Sequence, residues 1–284
     1  MRAGTHYGDH MDDSTKHLNL EGDLLVIGWG KAGKTLARDL ASAGKRVVLA
    51  ERDDSMAGGT CINVACVPTK TLVNLAERRG EQAPDEYLPK AIASRDALID
   101  KLRAANHAML ASLETVTLVS GEARFIGPHE VRVQAGSETL DISAEAVVIN
   151  TGTSPAMPDI PGINGESVYD STTIQHIAGG RVPPSLTIIG GGFIGLEFAS
   201  MFAAFGSAVR ILERGSTFLP ALDDDVREAV VTTLADRGIE IVTDAPVSAI
   251  EDDGRQVVCG AGTFETDAVL VAVGRKPETA ALDL

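Results

Sequence analysis

The sequence predicts an α/β protein built from two Rossmann-like units, each a three-layer β/β/α sandwich. Three observations predict it. An apolar run meets a glycine cluster twice, as Asp23-Leu-Leu-Val-Ile-Gly-Trp-Gly-Lys-Ala-Gly33 and as Leu186-Thr-Ile-Ile-Gly-Gly-Gly-Phe-Ile-Gly195. A helical stretch then follows in both, and a second apolar run ends in a glutamate at the same interval, Gly28 to Glu51 and Gly190 to Glu213. Short alternating runs come after each copy, as antiparallel strands require.

Composition is compatible with that architecture. The chain has 284 residues, 44% hydrophobic and 23% charged, enough for two cores. Aromatics are only 4%, so the cores rest on Val, Ile, Leu and Ala. The formal charge of −15 disfavours nucleic acid and anionic membrane surfaces as partners. A polyanionic ligand must then be held by local backbone N–H groups and helix dipoles. No apolar run reaches the length of a membrane span. Residues 1–20 are polar, without an apolar signal core, and are expected to be a disordered leader. The expected compartment is the cytoplasm, where three cysteines are not a structural disulfide framework.

The elements follow in order. Residues 21–155 form the first unit and 156–284 the second. Pro68–Glu77 reads as a helix, and Pro89–Leu113 as a long amphipathic one. Runs at 115–119, 122–126, 130–134 and 139–149 read as a meander with turns at Gly127-Pro128 and Ala135-Gly136. Residues 154–165 are rich in Pro and Gly and read as a linker. A second meander is expected at 239–243, 247–251, 256–259 and 263–273.

Gly28, Gly30 and Gly33 fit G-x-G-x-x-G between a strand and a helix, the context in which the motif binds a dinucleotide. The first glycine allows the tight turn and the second lets backbone approach a pyrophosphate. The third lets helix and strand pack, and the helix N-terminus attracts the phosphates. Glu51 is placed to accept ribose hydroxyls. Gly190, Gly192, Gly195 and Glu213 repeat the pattern. A carboxylate at Glu213 repels a 2′-phosphate, which favours NADH over NADPH there.

Cys61 and Cys66, in Gly58-Gly-Thr-Cys-Ile-Asn-Val-Ala-Cys-Val-Pro-Thr-Lys70, are close enough in sequence to form a short disulfide loop. The helix that follows favours a thiolate near its N-terminus. Taken alone, the pair also fits two buried free cysteines or two metal ligands, although no second pair completes a zinc site. Cys259 lies in a predicted strand and reads as a small core residue.

Together these residues resemble the class I pyridine nucleotide–disulfide oxidoreductases, the family of dihydrolipoamide dehydrogenase, glutathione reductase and mercuric reductase. The signature Gly-Gly-Thr-Cys-x-Asn-x-x-Cys-x-Pro-x-Lys at 58–70 carries the resemblance, which spans about residues 22–284. Within the family, Gly28–Ala37 and Pro68–Leu72 look most like the reactive-chlorine-resistance (RclA-type) flavoproteins, reductases of copper(II) or related oxidants.

The resemblance implies roles. Gly28, Gly30, Gly33, Glu51 and Arg52 would bind the ADP half of FAD. Gly59 and Thr60 would approach its pyrophosphate and flavin, and Thr151 and Gly152 would cross beside it. Cys66 would face the flavin and Cys61 the substrate. Lys70 would lie near flavin N5, paired with Glu197. Phe193 would gate the nicotinamide pocket, and Gly274 and Arg275 would close that domain. Hydride would pass from NAD(P)H through the flavin to the Cys61–Cys66 disulfide, and on to a metal ion, an oxidant or a disulfide. No resident metal is implied.

The chain ends at Leu284, shortly after Gly274-Arg275. The family's Gly-Asp flavin contact and its C-terminal dimerisation domain, with a His-x-x-x-x-Glu pair, are not in the sequence. The expectation is therefore a truncated chain with an incomplete FAD domain and no family homodimer interface. The competing expectation is a nucleotide-binding remnant without turnover.

Overall fold

In a computed structural model, the residues described are 17–177 and 180–284. The first unit opens with β1 (His17–Ile27), α1 (Lys31–Ser42) and β2 (Val47–Glu51). Helices α2 (Thr60–Asn63), α3 (Cys66–Glu77) and α4 (Pro84–Ala111) follow. Then come β3 (Val116–Ser120), β4 (Glu122–Gly127), β5 (Glu130–Ala135) and β6 (Glu138–Ile149). The six strands form one sheet ordered β3-β2-β1-β6-β5-β4.

Side chains alternate across the parallel strands, so each face builds its own core. Leu25, Ile27, Val48 and Ala50 pack against Val131, Val133 and Ile142 of the antiparallel β-layer. Leu24, Val26, Val47 and Leu49 pack against Ala37 and Ala41 of α1 and Leu110 of α4. The unit is thus a β/β/α sandwich.

The chain leaves through β7 (Thr153–Pro155) and enters the second unit at β8 (Val168–Asp170), β9 (Ser185–Ile189) and α5 (Phe193–Phe205). It continues with β10 (Ala208–Leu212), α6 (Asp224–Asp236), β11 (Glu240–Val242) and β12 (Val247–Glu251). Last come β13 (Gln256–Cys259), β14 (Gly262–Glu265), β15 (Ala268–Val271) and β16 (Arg275–Pro277). A parallel sheet runs β11-β10-β9-β15-β8, and β12-β13-β14 form a separate antiparallel sheet. Ile250, Val257 and Cys259 of that sheet pack against Ile189, Leu212, Val269 and Val271, so Cys259 is a core residue.

The structure corrects several expectations. β3 is not part of the meander but pairs in parallel with β2, because α4 returns the chain as a β-α-β crossover. β11 and β15 likewise join the parallel sheet. The run at 263–273 breaks at Asp267, whose carboxylate accepts from the Ser185 N–H at 3.0 Å. Helix α4 starts at Pro84 rather than Pro89, since proline at the first helical position loses no hydrogen bond.

The unit boundaries also move. His17–Leu20, placed in the leader, belong to β1, paired with Thr139–Ile142. Residues 1–16 of the expected leader lie outside the described residues. At the other end, β16 pairs with β7, and Leu282 is buried in the first unit's β/β core. The end of the chain therefore returns to the first unit.

The two units share one core. Leu72 and Ala76 of α3 and Leu88 and Ala91 of α4 are buried with Leu186, Ile188, Phe198 and Phe202 of the second unit. Arg95 of α4 is fully buried at this junction. It donates to the Gln175 carbonyl at 2.8 Å, meets His176 Nδ1 at 3.2 Å and pairs with Asp96.

Candidate functional site

The first glycine loop is built around the side chain that directly follows β6. Asn150 Nδ2 donates to the Gly28 and Gly30 carbonyls at 2.9 and 3.1 Å. Gly28 has φ +100°, and a Cβ there would stand 2.4 Å from the Asn150 carbonyl oxygen. A Cβ at Gly33 would meet Asn150 Nδ2 at 2.5 Å and Val26 Cγ1 at 2.6 Å, so this glycine serves helix–strand packing. Glu51 accepts from the Trp29 and Asp53 N–H groups at 2.8 and 3.2 Å. Burial pushes its carboxyl above the usual range, against those hydrogen bonds.

A cavity of about 390 Å³ opens beside this loop, lined by Gly30, Lys31, Glu51, Arg52, Gly59, Thr60, Cys61, Thr151, Gly152 and Arg275. A pocket of about 60 Å³ lies next to it, lined by Gly28 and sharing Glu51, Arg52, Thr151 and Glu278 with the larger one. Arg52 and Glu278, common to both, form an ion pair at 3.1 Å. Arg275 is fixed by donating to Thr153 Oγ1 at 2.8 Å and to the Thr153 carbonyl at 2.6 Å.

The cysteine segment packs directly on the glycine loop. Gly59 has φ +75° and ψ −174°, and a Cβ there would lie 2.5 Å from Gly30 Cα. Asn63 Nδ2 donates to the Ala57 and Gly59 carbonyls, while Arg103 of α4 donates to its Oδ1 at 3.0 Å. Gln175 Nε2 donates to the Val64 carbonyl at 3.0 Å, tying the stretch between the cysteines to the junction. Cys61 is half-buried and lines the cavity; Cys66 is exposed and is the first residue of α3. Helix α3 thus begins two residues earlier than the sequence suggests. Burial pushes the Cys61 thiol up, Cys66 adds to the rise, and Lys31 and Lys34 oppose it.

The structure brings Lys70 and Glu197 together across the two units, with Lys70 Nζ donating to Glu197 Oε1. Next to α5 lies a cavity of about 700 Å³, lined by Gly190, Gly192, Phe193, Glu213, Arg214 and Gly274. Gly190 has φ +108°, with a Cβ position 2.6 Å from the Ala272 carbonyl oxygen. A Cβ at Gly192 would meet nothing within 4 Å, leaving backbone open to the cavity. Gly195, by contrast, packs on the Gly190 carbonyl, 2.3 Å from its Cβ position. Glu213 accepts from the Gly191 and Gly215 N–H groups at 3.1 and 2.9 Å. Phe193 is 67% exposed at the rim.

Residues 22–283 match the family model described as pyridine nucleotide-disulphide oxidoreductase. The chain belongs to that family. It is 43% identical over 261 residues to the probable pyridine nucleotide-disulfide oxidoreductase RclA of Escherichia coli K12, covering 91% of this chain and 57% of the relative. It is 33% identical over 279 residues to a mercuric reductase of Lysinibacillus sphaericus, covering 92% and 50%. Among solved structures it is similar to the copper(II) complex of the HOCl-induced flavoprotein disulfide reductase RclA from Escherichia coli. That likeness has a TM-score of 0.84 at 42% identity, over 92% of this chain and 58% of the other. The chain therefore spans about half to three-fifths of the length of these relatives.

Sequence reasoning missed Lys31, Asn150 and Glu278. Lys31 occupies a variable position of the glycine motif, and a cation there was the available signal. Asn150 sits immediately before Thr151-Gly152 at a strand end. Glu278 reaches the cavity only because the chain returns, which no local pattern announces. Among the described residues, no helix is long and apolar enough to cross a membrane, and no cluster of three or more His, Cys, Asp or Glu could hold a metal.

Proposed function

We propose that this chain carries the electron path of an FAD-dependent pyridine nucleotide–disulfide oxidoreductase, from NAD(P)H through flavin to Cys61 and Cys66. The observation that carries this reading is that Cys61 lines the same cavity as the first glycine loop, while Lys70 and Glu197 join that unit to the second. The linings of the two cavities have the features that dinucleotides need. Gly28 and Gly190 have left-handed backbone, Gly30 and Gly192 present backbone to their cavities, and a carboxylate stands beside each loop.

FAD, when bound, supplies the carrier chemistry between hydride and thiol. Gly30, Lys31 and Arg52 would hold its phosphates and Glu51 its ribose. Cys66 would be the flavin-side thiol, and Cys61 the thiol that meets a metal ion, an oxidant or a disulfide. Lys70, oriented by Glu197, would supply positive charge to the bound flavin. In the larger cavity, Glu213 would favour NADH by repelling a 2′-phosphate, and Phe193 would cover the nicotinamide. The copper(II) complex of RclA makes a metal ion a reasonable first substrate to assay. The acidic composition supports a cytoplasmic reductase of small molecules.

The test is visible absorbance. Purified protein supplied with FAD is expected to be yellow, to bleach with NADH, and to reduce copper(II) or a small disulfide. Cys66→Ser is expected to retain bleaching and lose substrate reduction. A protein that FAD cannot colour would overturn the reading in favour of a nucleotide-binding module without turnover. Undiminished substrate reduction by Cys66→Ser would remove the cysteines from the path.

A further inference from the structure

Lys34 follows the last glycine of the first loop. It is 8% exposed, and its Nζ donates to Asn106 Oδ1 of α4. Asn106 is itself held by donating to the Leu102 carbonyl at 2.7 Å. Its Cγ lies 3.3 Å from the Cβ position of Gly58, at the start of the segment that carries Cys61. The amine is therefore wedged beneath that segment, between α1 and α4.

A buried ammonium normally has an anionic partner. Among the described residues, Lys34 forms no ion pair with a carboxylate. The groups that act on it through space are Cys61, which favours its charged form, and Lys31 on its own helix, which opposes it. From α4, Asn106 is neutral, and Arg103 is committed to Asn63 and Asp100. His107 of the same helix stacks on Trp29 at 5.5 Å between ring centroids. From α3, Cys66 acts on Cys61. Burial drives the amine toward its neutral form, so it gains most from an anion that appears on demand.

We infer that Lys34 is the counter-ion of the Cys61 thiolate, a positioning residue that stabilises the reduced cysteine pair from beneath. This rests on the redox role of the pair proposed above, but its test does not need turnover. The fully reduced chain is alkylated with iodoacetamide across a pH series, and Cys61 modification is followed by peptide-resolved mass spectrometry. Lys34→Met is expected to move the Cys61 profile up by about one pH unit, about a tenfold loss of thiolate near neutral pH. Lys34→Arg is expected to restore most of it. Asn106→Asp, which gives Lys34 a permanent carboxylate, should move the profile in the same direction as Lys34→Met and keeps the test open if that variant does not fold. Cys259, buried in the other unit, is the internal reference. An unchanged Cys61 profile in folded Lys34→Met or in Asn106→Asp overturns the inference. If instead the profile moves while NADH fails to bleach FAD, the counter-ion stands and the reductase reading falls.

Discussion

Gly59→Ala is the most informative single change. Gly59 has φ +75° and ψ −174°, a region open in practice only to glycine. Forcing a side chain into it costs about 1–3 kcal/mol. The new methyl would also stand 2.5 Å from Gly30 Cα, a backbone atom that no rotamer change can move aside. Relieving that overlap costs about another 1–3 kcal/mol. The cysteine segment must therefore lift from the glycine loop, and the cavity between them loses its shape. Flavin affinity is expected to fall at least tenfold, about 1.4 kcal/mol, while NADH affinity at the other cavity stays within about twofold. The melting temperature should drop by about 4 °C or more, from the usual ~2–4 °C per kcal/mol. Gly44→Ala is the control, since φ there is +85° but nothing lies within 4 Å of its Cβ position. It should lose stability without losing flavin. Fluorescence titration with FAD and thermal melts measure both quantities. Wild-type flavin affinity and melting temperature in Gly59→Ala would refute the close contact on which the site is built.

Three further outcomes follow from the geometry. Arg95→Met strips the Gln175 carbonyl and His176 of their buried donor and should cost about 3 kcal/mol in denaturant unfolding; an unchanged midpoint would mean that the junction does not depend on this guanidinium. Asp141 is held down to about 2 from the ordinary 3.8, by hydrogen bonds from Arg132 first and His17 second. Its contribution is complete above the unfolded value and is lost as pH falls through about 2, so Asp141→Asn should flatten the acid limb of a melting-temperature profile below about pH 4. Glu213→Ala should raise NADPH use relative to NADH by about tenfold, measured as the ratio of kcat/KM values; an unchanged ratio would show that this carboxylate does not choose the cofactor.

The parts of the fold that were legible in the sequence are those encoded locally. A strand, a glycine turn and a helix lie within ten residues of one another, so both glycine loops, and the glutamates that end the following strands, could be read directly. Strand partners could not be. The run at Val116–Ser120 looks the same whether its neighbour is β2 or β4, and only the crossover through α4 decides. The site divides in the same way. Cys61, Cys66 and the glycines announce themselves by spacing, and so does Lys70 once the family signature is recognised. Lys34, Asn150, Gln175 and Glu278 act through contacts between distant segments, and their identities alone carry no such signal.

The core shared by the two units bears on how the protein folds and moves. Leu72 and Ala76 belong to the helix that begins with Cys66, yet they are buried among Phe198, Phe202 and other residues of the second unit. Residues 156–284 produced alone would present that face to water, so the second unit is expected to be less stable by itself than within the whole chain. Unfolding should be one cooperative transition, with neither half melting first. The same burial resists hinge motion between the halves. The spacing of the two cavities is then a fixed property of the packed interior rather than the outcome of a domain closure.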